Sequence, residues 1–208
     1  MPGKRMDSRT INLNLGCGAV TPAGWTNVDY ALGARLSRVP ILRPLFSMKW
    51  DRRIVIHDLT KPFRWLADSA EAVYSSHTLE HFDREAGARF LAECHRVLRP
   101  GGVCRIIVPD LAVHLRRYHD GTLPAERLLE EMDVLYPIPR AAWKRPLVPL
   151  IAYPHRCMYD TAALTRAMSA AGFECRSRAP FESLIPDIRA IELEDRTRDA
   201  VIVEGIKV

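Results

Sequence analysis

Residues 12–18, with the sequence Asn-Leu-Asn-Leu-Gly-Cys-Gly, constrain the fold of this chain more than any other segment. Apolar residues alternate there as in a β-strand, and two glycines one residue apart, Gly16 and Gly18, follow directly. Glycine adopts positive φ without strain and lets another group approach the backbone closely. At the carboxyl end of a parallel strand, that group is usually a nucleotide-like ligand. A second short segment ends in Asp29, whose carboxylate can accept hydrogen bonds from two ribose hydroxyls. Together the two segments predict a nucleoside-binding unit.

The spacing between these two segments is unusually short. Six residues, 19–24, separate Gly18 from the second predicted strand, and Asp29 follows Gly18 by 11 positions. A parallel crossover normally takes a dozen or more residues, and in dinucleotide-binding folds the acid lies about 20 residues beyond the glycines. We therefore expect the first crossover helix to be shortened or replaced by a loop. The third glycine of the dinucleotide pattern is also missing, which argues against an NAD-type site.

Strands and helices alternate along the rest of the chain, which indicates a parallel sheet covered by helices. The clearest helix has apolar residues at a spacing of three to four, with Asp83 as N-cap and Pro100-Gly101-Gly102 at its end. The predicted strands are 11–15, 25–29, 53–57, 72–75, 103–108, 173–177 and 200–207, and the predicted helices are 83–99, 110–121, 124–135 and 160–171.

A chain of 208 residues with 48% apolar content fits one domain, 1–208, carrying two insertions. Residues 136–157 contain five prolines, which exclude a regular element and favour a substrate loop or lid. Residues 31–50 are rich in proline, arginine and large apolar residues. They are consistent with a cap over the site, an interfacial segment in peripheral contact with a membrane, or a dimer surface. A monomer and a homodimer both stay open.

Several classes of protein do not fit the composition. No apolar run approaches the roughly 18 residues of a transmembrane helix, and residues 1–9 are charged and lack the apolar core of a signal peptide. The five cysteines (17, 94, 104, 157 and 175) form no CxxC pair and no ligand-like spacing. We therefore expect reduced thiols in the cytoplasm.

The net charge of +5 comes from an arginine-rich composition, since only five of the 30 basic residues are lysine. The arginines are spread over the whole chain and form no basic helix interleaved with aromatic residues. This pattern favours a solvated surface over a nucleic-acid interface. An anionic acceptor is as consistent with the net positive charge as a nucleic acid is.

Four segments resemble the motifs of class I S-adenosylmethionine-dependent methyltransferases, and in particular the small predicted enzymes of the type 11 group. They are Asn-Leu-Gly-Cys-Gly at 14–18, Gly-Trp-Thr-Asn-Val-Asp at 24–29, Tyr-Ser-Ser-His-Thr-Leu-Glu-His at 74–81 and Arg-Val-Leu-Arg-Pro-Gly-Gly at 96–102. Their order and spacing agree from residue 11 to about 110, and the similarity continues more thinly at 155–160 and 171–173. The resemblance implies an α/β, Rossmann-like fold with a mostly parallel seven-stranded sheet, helices on both faces and a C-terminal antiparallel hairpin. It also implies a bacterial cytoplasmic enzyme with S-adenosyl-L-methionine as cofactor, associated with cell-surface glycan biosynthesis.

The resemblance assigns cofactor contacts residue by residue. The glycine turn is expected to meet the methionine and ribose, Asp29 with its neighbour Tyr30 to hold the ribose hydroxyls, and Asp58 with Leu59 to frame the adenine. Ser75 and Ser76 close the floor. Asn14 stands where the family usually has an acid, which weakens any salt link to the methionine ammonium. The turn residues concerned are Asn14, Leu15, Gly16, Cys17 and Gly18.

Residues 77–81 spell H-x-x-E-H, the inverted zinc-peptidase motif. Their position directly after a strand of a nucleoside-binding unit opposes that interpretation, and no later acid stands out as a third ligand, so we predict no metal. An imidazole at the mouth of the site can instead take a proton from an acceptor hydroxyl. We predict His77 as this base, with Glu80 orienting it or His81 serving in its place. Alternatively, Glu80 and His81 only brace the following helix.

The acceptor is expected near His155, Arg156 and Tyr159, at the exit of the proline-rich loop, with Arg43, Arg140 and Lys144 as weaker candidates. The predicted reaction is methylation of a small-molecule or sugar hydroxyl. The alternatives are a cofactor-binding partner protein without turnover, a nucleic-acid methyltransferase and the zinc peptidase.

Overall fold

A computed structural model of the protein describes residues 11–39, 50–138, 146, 148 and 152–208. Seven strands form one sheet in the order β3-β2-β1-β4-β5-β7-β6. Their bounds are Ile11–Leu15 (β1), Thr26–Asp29 (β2), Val55–Ile56 (β3), Ala70–Ser76 (β4), Leu98–Pro109 (β5), Phe173–Ser177 (β6) and Ala200–Lys207 (β7).

The pairing confirms the predicted Rossmann-like fold. β1 lies parallel between β2 and β4, with Leu15 opposite Val28 and Asn14 opposite Tyr74. β3 and β5 extend the parallel part, and β7 runs antiparallel to both β5 and β6. The first crossover is shortened as predicted, because residues 16–25 connect β1 to β2 without a helix. The carboxyl ends of β1, β2 and β4 therefore meet at one edge of the sheet.

The described helices are Leu32–Leu36 (α1), Arg84–Val97 (α2), Leu111–His119 (α3), Ala125–Glu131 (α4), Thr161–Ala170 (α5) and Glu194–Thr197 (α6). Asp83 caps α2 by accepting a hydrogen bond from the Ala86 amide at 2.8 Å, and Asp160 caps α5 through the Ala163 amide at 2.6 Å. Two elements are shorter than predicted. α4 ends before residue 135 because Asp133 adopts a left-handed φ of 52°, and β3 keeps only the two residues that pair with the end of β2.

Both faces of the sheet are buried, and adjacent strand residues enter different cores. On one face, β1, β4, β5 and β7 pack against Phe90 of α2 and Leu164 of α5. On the other face, Tyr74 and Ile107 pack against the segment between β6 and β7, through Ile188 and its neighbours. Burial on both sides is typical of central parallel strands.

Arg105 lies in the middle of β5, between apolar neighbours, and is fully buried. Its guanidinium donates two hydrogen bonds to Glu192, at 2.6 and 3.0 Å, and one to Glu204 at 3.0 Å. It also donates to the backbone carbonyls of Ala179 and Glu182. This network fixes the segment between β6 and β7 against the sheet.

Parts of both insertions lie outside the described residues: 40–49 with Arg43, and 139–145, 147 and 149–151 with Arg140 and Lys144. The single-domain assignment and the cap, membrane and dimer interpretations stay predictions. Within the described ranges, no helix has the length and apolar character needed to cross a bilayer.

Candidate functional site

A cavity of about 620 Å³ opens at the carboxyl ends of β1, β2 and β4. This volume lies within the usual range for small-ligand sites. Most of the predicted site residues contribute to its wall, namely Asn14, Gly16, Cys17, Gly18, Asp29, Tyr30, Asp58, Leu59, Ser76, His77, His81 and Arg156.

The glycine turn requires its glycines for different reasons. Gly16 has a φ of +73°, and a Cβ built on it would lie 2.0 Å from Thr78 Oγ1. Gly18 has a φ of +54°, but a Cβ there would meet nothing within 4 Å. The amides of Gly16 and Cys17 both donate to the Val28 carbonyl, at 2.9 and 3.0 Å. The turn is thus held against β2, and Gly18 borders the open cavity.

Asp29 connects the turn to the chain that follows β2. Its Oδ2 accepts from the Gly18 amide at 2.8 Å, and its Oδ1 accepts from the Ala31 amide at 2.7 Å. Each carboxylate oxygen keeps a second lone pair, so the side chain can still accept from two hydroxyls in the cavity. Beside it, Tyr30 is 43% exposed and carries the Arg35 guanidinium 4.8 Å from its ring centroid.

Asn14 and Cys17 are less available to a ligand. The Asn14 amide nitrogen donates to Asn27 Oδ1 at 2.8 Å and to the Val20 carbonyl at 2.9 Å, which leaves its amide oxygen as the free group. Burial, reinforced by the Asp29 carboxylate, raises the pKa of Cys17 to about 12. The Cys17 thiol therefore stays protonated at neutral pH and is not a nucleophile.

At the strand ends next to the turn, the predicted contacts divide into two groups. Asp58 Oδ1 accepts from the amide and hydroxyl of Thr60, at 3.0 and 2.7 Å, and its second oxygen is free to accept from an adenine amine. Ser76 lines the cavity with a buried hydroxyl that has no hydrogen-bond partner. Ser75 instead donates to the Leu15 carbonyl at 3.0 Å, and neither of these two residues lines the cavity. Their position indicates a structural link between β4 and β1.

His77 lines the cavity next to Arg196 and has a left-handed φ of 52°. Its Nε2 lies 2.9 Å from the Arg196 carbonyl oxygen, and its Nδ1 lies 3.4 Å from Glu80 Oε1. Because a carbonyl only accepts, this contact places the proton on Nε2. To act as a base toward the cavity, His77 must exchange this carbonyl for the acceptor hydroxyl and carry its proton on Nδ1, facing Glu80.

Glu80 is 1% exposed, and neither of its carboxylate oxygens has a hydrogen-bond partner. Its backbone carbonyl accepts from the amides of Arg156 and Cys157, at 2.7 and 3.1 Å, which draws the chain around His155 to the site. His155 Nε2 lies 3.9 Å from Glu80 Oε1, and the His155 and His81 rings are 5.0 Å apart between centroids. The structure thus brings together Glu80, His81 and His155, of which His81 lines the cavity.

The remaining predicted side chains have different environments. Burial lowers the pKa of His81, so its imidazole is neutral at neutral pH. Arg156 lines the cavity, whereas His155 lies behind His81. Tyr159 packs against the main core, and burial raises its pKa to about 12. The position of Tyr159 does not favour the predicted substrate contact.

The H-x-x-E-H segment does not form a metallopeptidase site. Residues Leu79–His81 form a single 3-10 turn instead of a turn of α-helix, and His77 precedes it in a left-handed conformation. Among the described residues, one group of side chains could hold a metal ion, and it contains Glu80, His81 and His155 but not His77.

Part of the wall was not predicted from the sequence, because most of these positions lie outside the four motifs. Ile191, Leu193 and Arg196 come from the segment that the Arg105 network holds against the sheet. The other missed residues are Ala19, Val20, Ala31, Trp50, Thr60, Tyr74, Thr78, Phe82, Asp83, Ala86 and Tyr153.

A mostly parallel sheet with a C-terminal antiparallel pair, and a glycine turn beside an acid at adjacent strand ends, defines the class I methyltransferase fold. Residues 13–106 match the family model described as "Methyltransferase domain". The match covers 94 of the 208 residues, and together with the fold it is consistent with the class I S-adenosylmethionine-dependent methyltransferases that the motifs indicated. No curated protein matches the sequence.

Solved structures with this fold include a SAM-dependent methyltransferase from Methanosarcina mazei, with a TM-score of 0.56 and 14% identity over 95% of this chain and 92% of that one. A "possible histamine N-methyltransferase" from Thermotoga maritima has a TM-score of 0.50 and 17% identity, covering 95% and 82% of the two chains. An O-methyltransferase family protein from Burkholderia thailandensis has a TM-score of 0.52 and 14% identity, covering 95% and 51%. At such identities the likeness shows the fold alone, and these names include both N- and O-methyl transfer.

Proposed function

We propose that the protein transfers a methyl group from S-adenosylmethionine to a hydroxyl of a small molecule or saccharide. The observation that carries this proposal is a single cavity that joins the glycine turn and Asp29 to a wall of histidine and arginine side chains. Such a site has room for a nucleoside cofactor and an acceptor side by side. When bound, the cofactor supplies an electrophilic methyl group, so the protein has to align the acceptor and remove its proton.

The cofactor end fits a nucleoside through groups that are still free to accept hydrogen bonds. Asp29 has one lone pair left on each oxygen for the ribose hydroxyls, and Asp58 has a free oxygen for the adenine amine. Gly18 leaves space where any side chain would enter the cavity. Asn14 offers an amide oxygen in place of a charge, so we expect the methionine ammonium to be held less tightly than by a carboxylate.

At the acceptor end, His77 is the proposed general base. A hydroxyl that replaces the Arg196 carbonyl would meet Nε2, while Nδ1–H would point to the Glu80 carboxylate, now 3.4 Å away. A buried carboxylate that orients an imidazole and stabilises its protonated form is an established arrangement for general-base catalysis. Glu80 thus acts through His77, as a positioning residue.

The exposed guanidinium groups of Arg156 and Arg196 lie on the same wall. Two cations beside the proposed base suit an acceptor that carries an anionic group, such as a phosphorylated or acidic sugar. On this basis we propose a surface-glycan precursor as the acceptor.

Calorimetric titration with S-adenosylmethionine and S-adenosylhomocysteine tests the cofactor site. We expect one-site binding by the wild type and by Asp120→Ala, a matched change of an exposed aspartate. Asp29→Ala should weaken binding at least about tenfold, which corresponds to roughly 1.4 kcal/mol. Because Asp29 also accepts from the Gly18 and Ala31 amides, thermal unfolding of Asp29→Ala checks that a loss of binding does not come from a disrupted turn. A folded wild-type protein that binds neither ligand would refute the proposal.

Methyl transfer to the acceptor is tested with labelled cofactor and a panel of nucleotide sugars, glycans and RNA. Transfer to a saccharide that His77→Ala reduces about a hundredfold or more would support the assigned base. Labelled RNA would instead identify a nucleic-acid methyltransferase, and binding without any transfer would favour a silent cofactor-binding partner.

A further inference from the structure

Glu80, His81 and His155 bring three metal-ligating groups together, with their ligand atoms all within 4.8 Å of one another. We propose that these residues form a binding site for a divalent transition-metal ion of the zinc type, at the acceptor end of the cavity. Metal binding follows from this cluster alone, whereas its use in methyl transfer rests on the proposed function.

The strongest support is the buried carboxylate of Glu80. It is 1% exposed and lacks a hydrogen bond at both oxygens. A buried charge without a partner is costly, and such a group in a native structure calls for an ion or another ligand. The nearest imidazole nitrogens, on His77 and His155, lie 3.4 and 3.9 Å from Oε1, too far for good hydrogen bonds.

The separation between Glu80 and His155 suits two ligands of one ion. Zinc lies about 2.0–2.2 Å from imidazole nitrogen and carboxylate oxygen, so two ligands in tetrahedral geometry are roughly 3.4 Å apart. The 3.9 Å between Glu80 Oε1 and His155 Nε2 needs only a small inward shift of either side chain.

His155 is oriented for metal binding by its second nitrogen. Its Nδ1 lies 2.7 Å from the Met132 carbonyl oxygen, so Nδ1 carries the proton. The lone pair of Nε2 therefore faces Glu80. Metal-ligating histidines typically donate their other ring N–H to such a carbonyl, which fixes the tautomer and the ring orientation.

His81 supplies the third ligand and connects the cluster to the cavity. Its Nδ1 is buried without a hydrogen-bond partner, and the residue lines the cavity. The backbone bonds from Arg156 and Cys157 to the Glu80 carbonyl, at 2.7 and 3.1 Å, set the distance between the two chain segments. The cluster is therefore held together by the backbone before any ion binds.

Two imidazoles and one carboxylate favour Zn²⁺, Co²⁺ or Mn²⁺ over Mg²⁺ or Ca²⁺, which prefer oxygen ligands. Three protein ligands leave at least one coordination position open. Of the three ligands, His81 is the one that lines the cavity. A metal ion held by these residues would polarise an acceptor hydroxyl bound beside it. The site differs from the H-x-x-E-H motif because His77 is a neighbour and not a ligand.

The test uses full-length protein stripped with a chelator and titrated with Co²⁺, whose visible absorption reports its coordination, followed by displacement with Zn²⁺. We expect one Co²⁺ per chain in the wild type and in His77→Ala. The matched control His119→Ala, which changes an exposed histidine outside the cluster, should also bind one Co²⁺. Glu80→Gln and His155→Ala should each weaken binding at least about tenfold. Because Glu80→Gln changes a buried residue, thermal unfolding checks its fold, and His155→Ala gives an independent result.

No cobalt binding by the wild type, or equal binding by Glu80→Gln and His155→Ala, would overturn the metal site. Binding lost in His77→Ala but kept in His155→Ala would also contradict it. Calorimetry with S-adenosylmethionine on the same proteins separates the two proposals. Cofactor binding without metal leaves the proposed function intact, and metal binding without cofactor leaves only the metal site.

Discussion

Gly16→Ala is the sharpest test of the turn at the end of β1. Alanine at a φ of +73° costs about 1–2 kcal/mol for the left-handed conformation. Its Cβ would also lie 2.0 Å from Thr78 Oγ1, 2.8 Å from Cγ2 and 2.9 Å from Cβ. Rotation of the Thr78 side chain leaves the Cβ contact unchanged, so overpacking adds about 1–3 kcal/mol. The expected loss is roughly 2–5 kcal/mol of unfolding free energy.

Gly18→Ala is the matched control, because it has a similar φ of +54° and open space where the Cβ would be. We expect it to lose only about 1–2 kcal/mol, while its methyl group at the cavity wall weakens S-adenosylmethionine binding. Urea unfolding of the wild type, both alanine variants, Thr78→Gly and Gly16→Ala/Thr78→Gly measures the difference. The double variant removes all three contacts, so it should be more stable than expected from the sum of the two single changes.

Equal destabilisation by Gly16→Ala and Gly18→Ala would refute this reasoning, because conformational strain would then account for both. Strict additivity of Gly16→Ala and Thr78→Gly would refute the steric part, since the two residues would not be in contact. A change in the urea m-value would indicate that the denatured state, and not the turn, is affected.

Three further predictions concern the core and the cysteines. Arg105→Met leaves Glu192 buried without its cation and removes one of the two cations of Glu204, which keeps Arg178. We expect a loss of about 3–5 kcal/mol in urea unfolding, and a loss below about 1 kcal/mol would show that the network is dispensable. Hydrogen bonds from Arg96 and from the Phe63 amide lower the pKa of Glu93. The contribution of Glu93 to the free energy of unfolding is therefore complete above the unfolded pKa of about 4.3, and it is lost as the pH falls through the lower folded pKa. Glu93→Gln should therefore lower the free energy of unfolding by roughly 1–2 kcal/mol at neutral pH and make stability less dependent on pH in acid. A melting temperature that falls as steeply with pH as in the wild type would contradict this. In native protein we expect iodoacetamide to modify Cys157 before the buried Cys17, Cys94 and Cys104, as followed by mass spectrometry, and early labelling of Cys17 would contradict its raised pKa.

Local signals predicted the elements of the sheet well. β1, β6 and β7 have the predicted bounds, and Asp83 and Asp160 cap the helices that follow them. These features depend on the alternation of apolar residues and on side chains that bond to nearby backbone, and both are properties of short stretches of sequence. The glycine turn and Asp29 could be found for the same reason, because parallel strands bring their carboxyl ends to one edge.

Other features needed the tertiary structure. No local signal reveals the role of Arg105, because its partners Glu192 and Glu204 lie 87 and 99 residues away in sequence. Ser75 seemed to belong to the site until its hydroxyl was placed on the Leu15 carbonyl. Strand alternation predicts that neighbouring residues face opposite sides, but it does not say which side holds the ligand.

The histidine cluster shows the difference most clearly. The sequence determined that His77, Glu80 and His81 follow a strand end, and it predicted His77 as the base, with Glu80 orienting it or His81 serving in its place. The tertiary structure brings His155 to Glu80 and His81 instead, through backbone bonds between residues 80, 156 and 157. Spacing along the chain fixes relative positions only within a regular helix or strand. Here a 3-10 turn and a left-handed residue break that regularity, so long-range contacts decide which side chains meet.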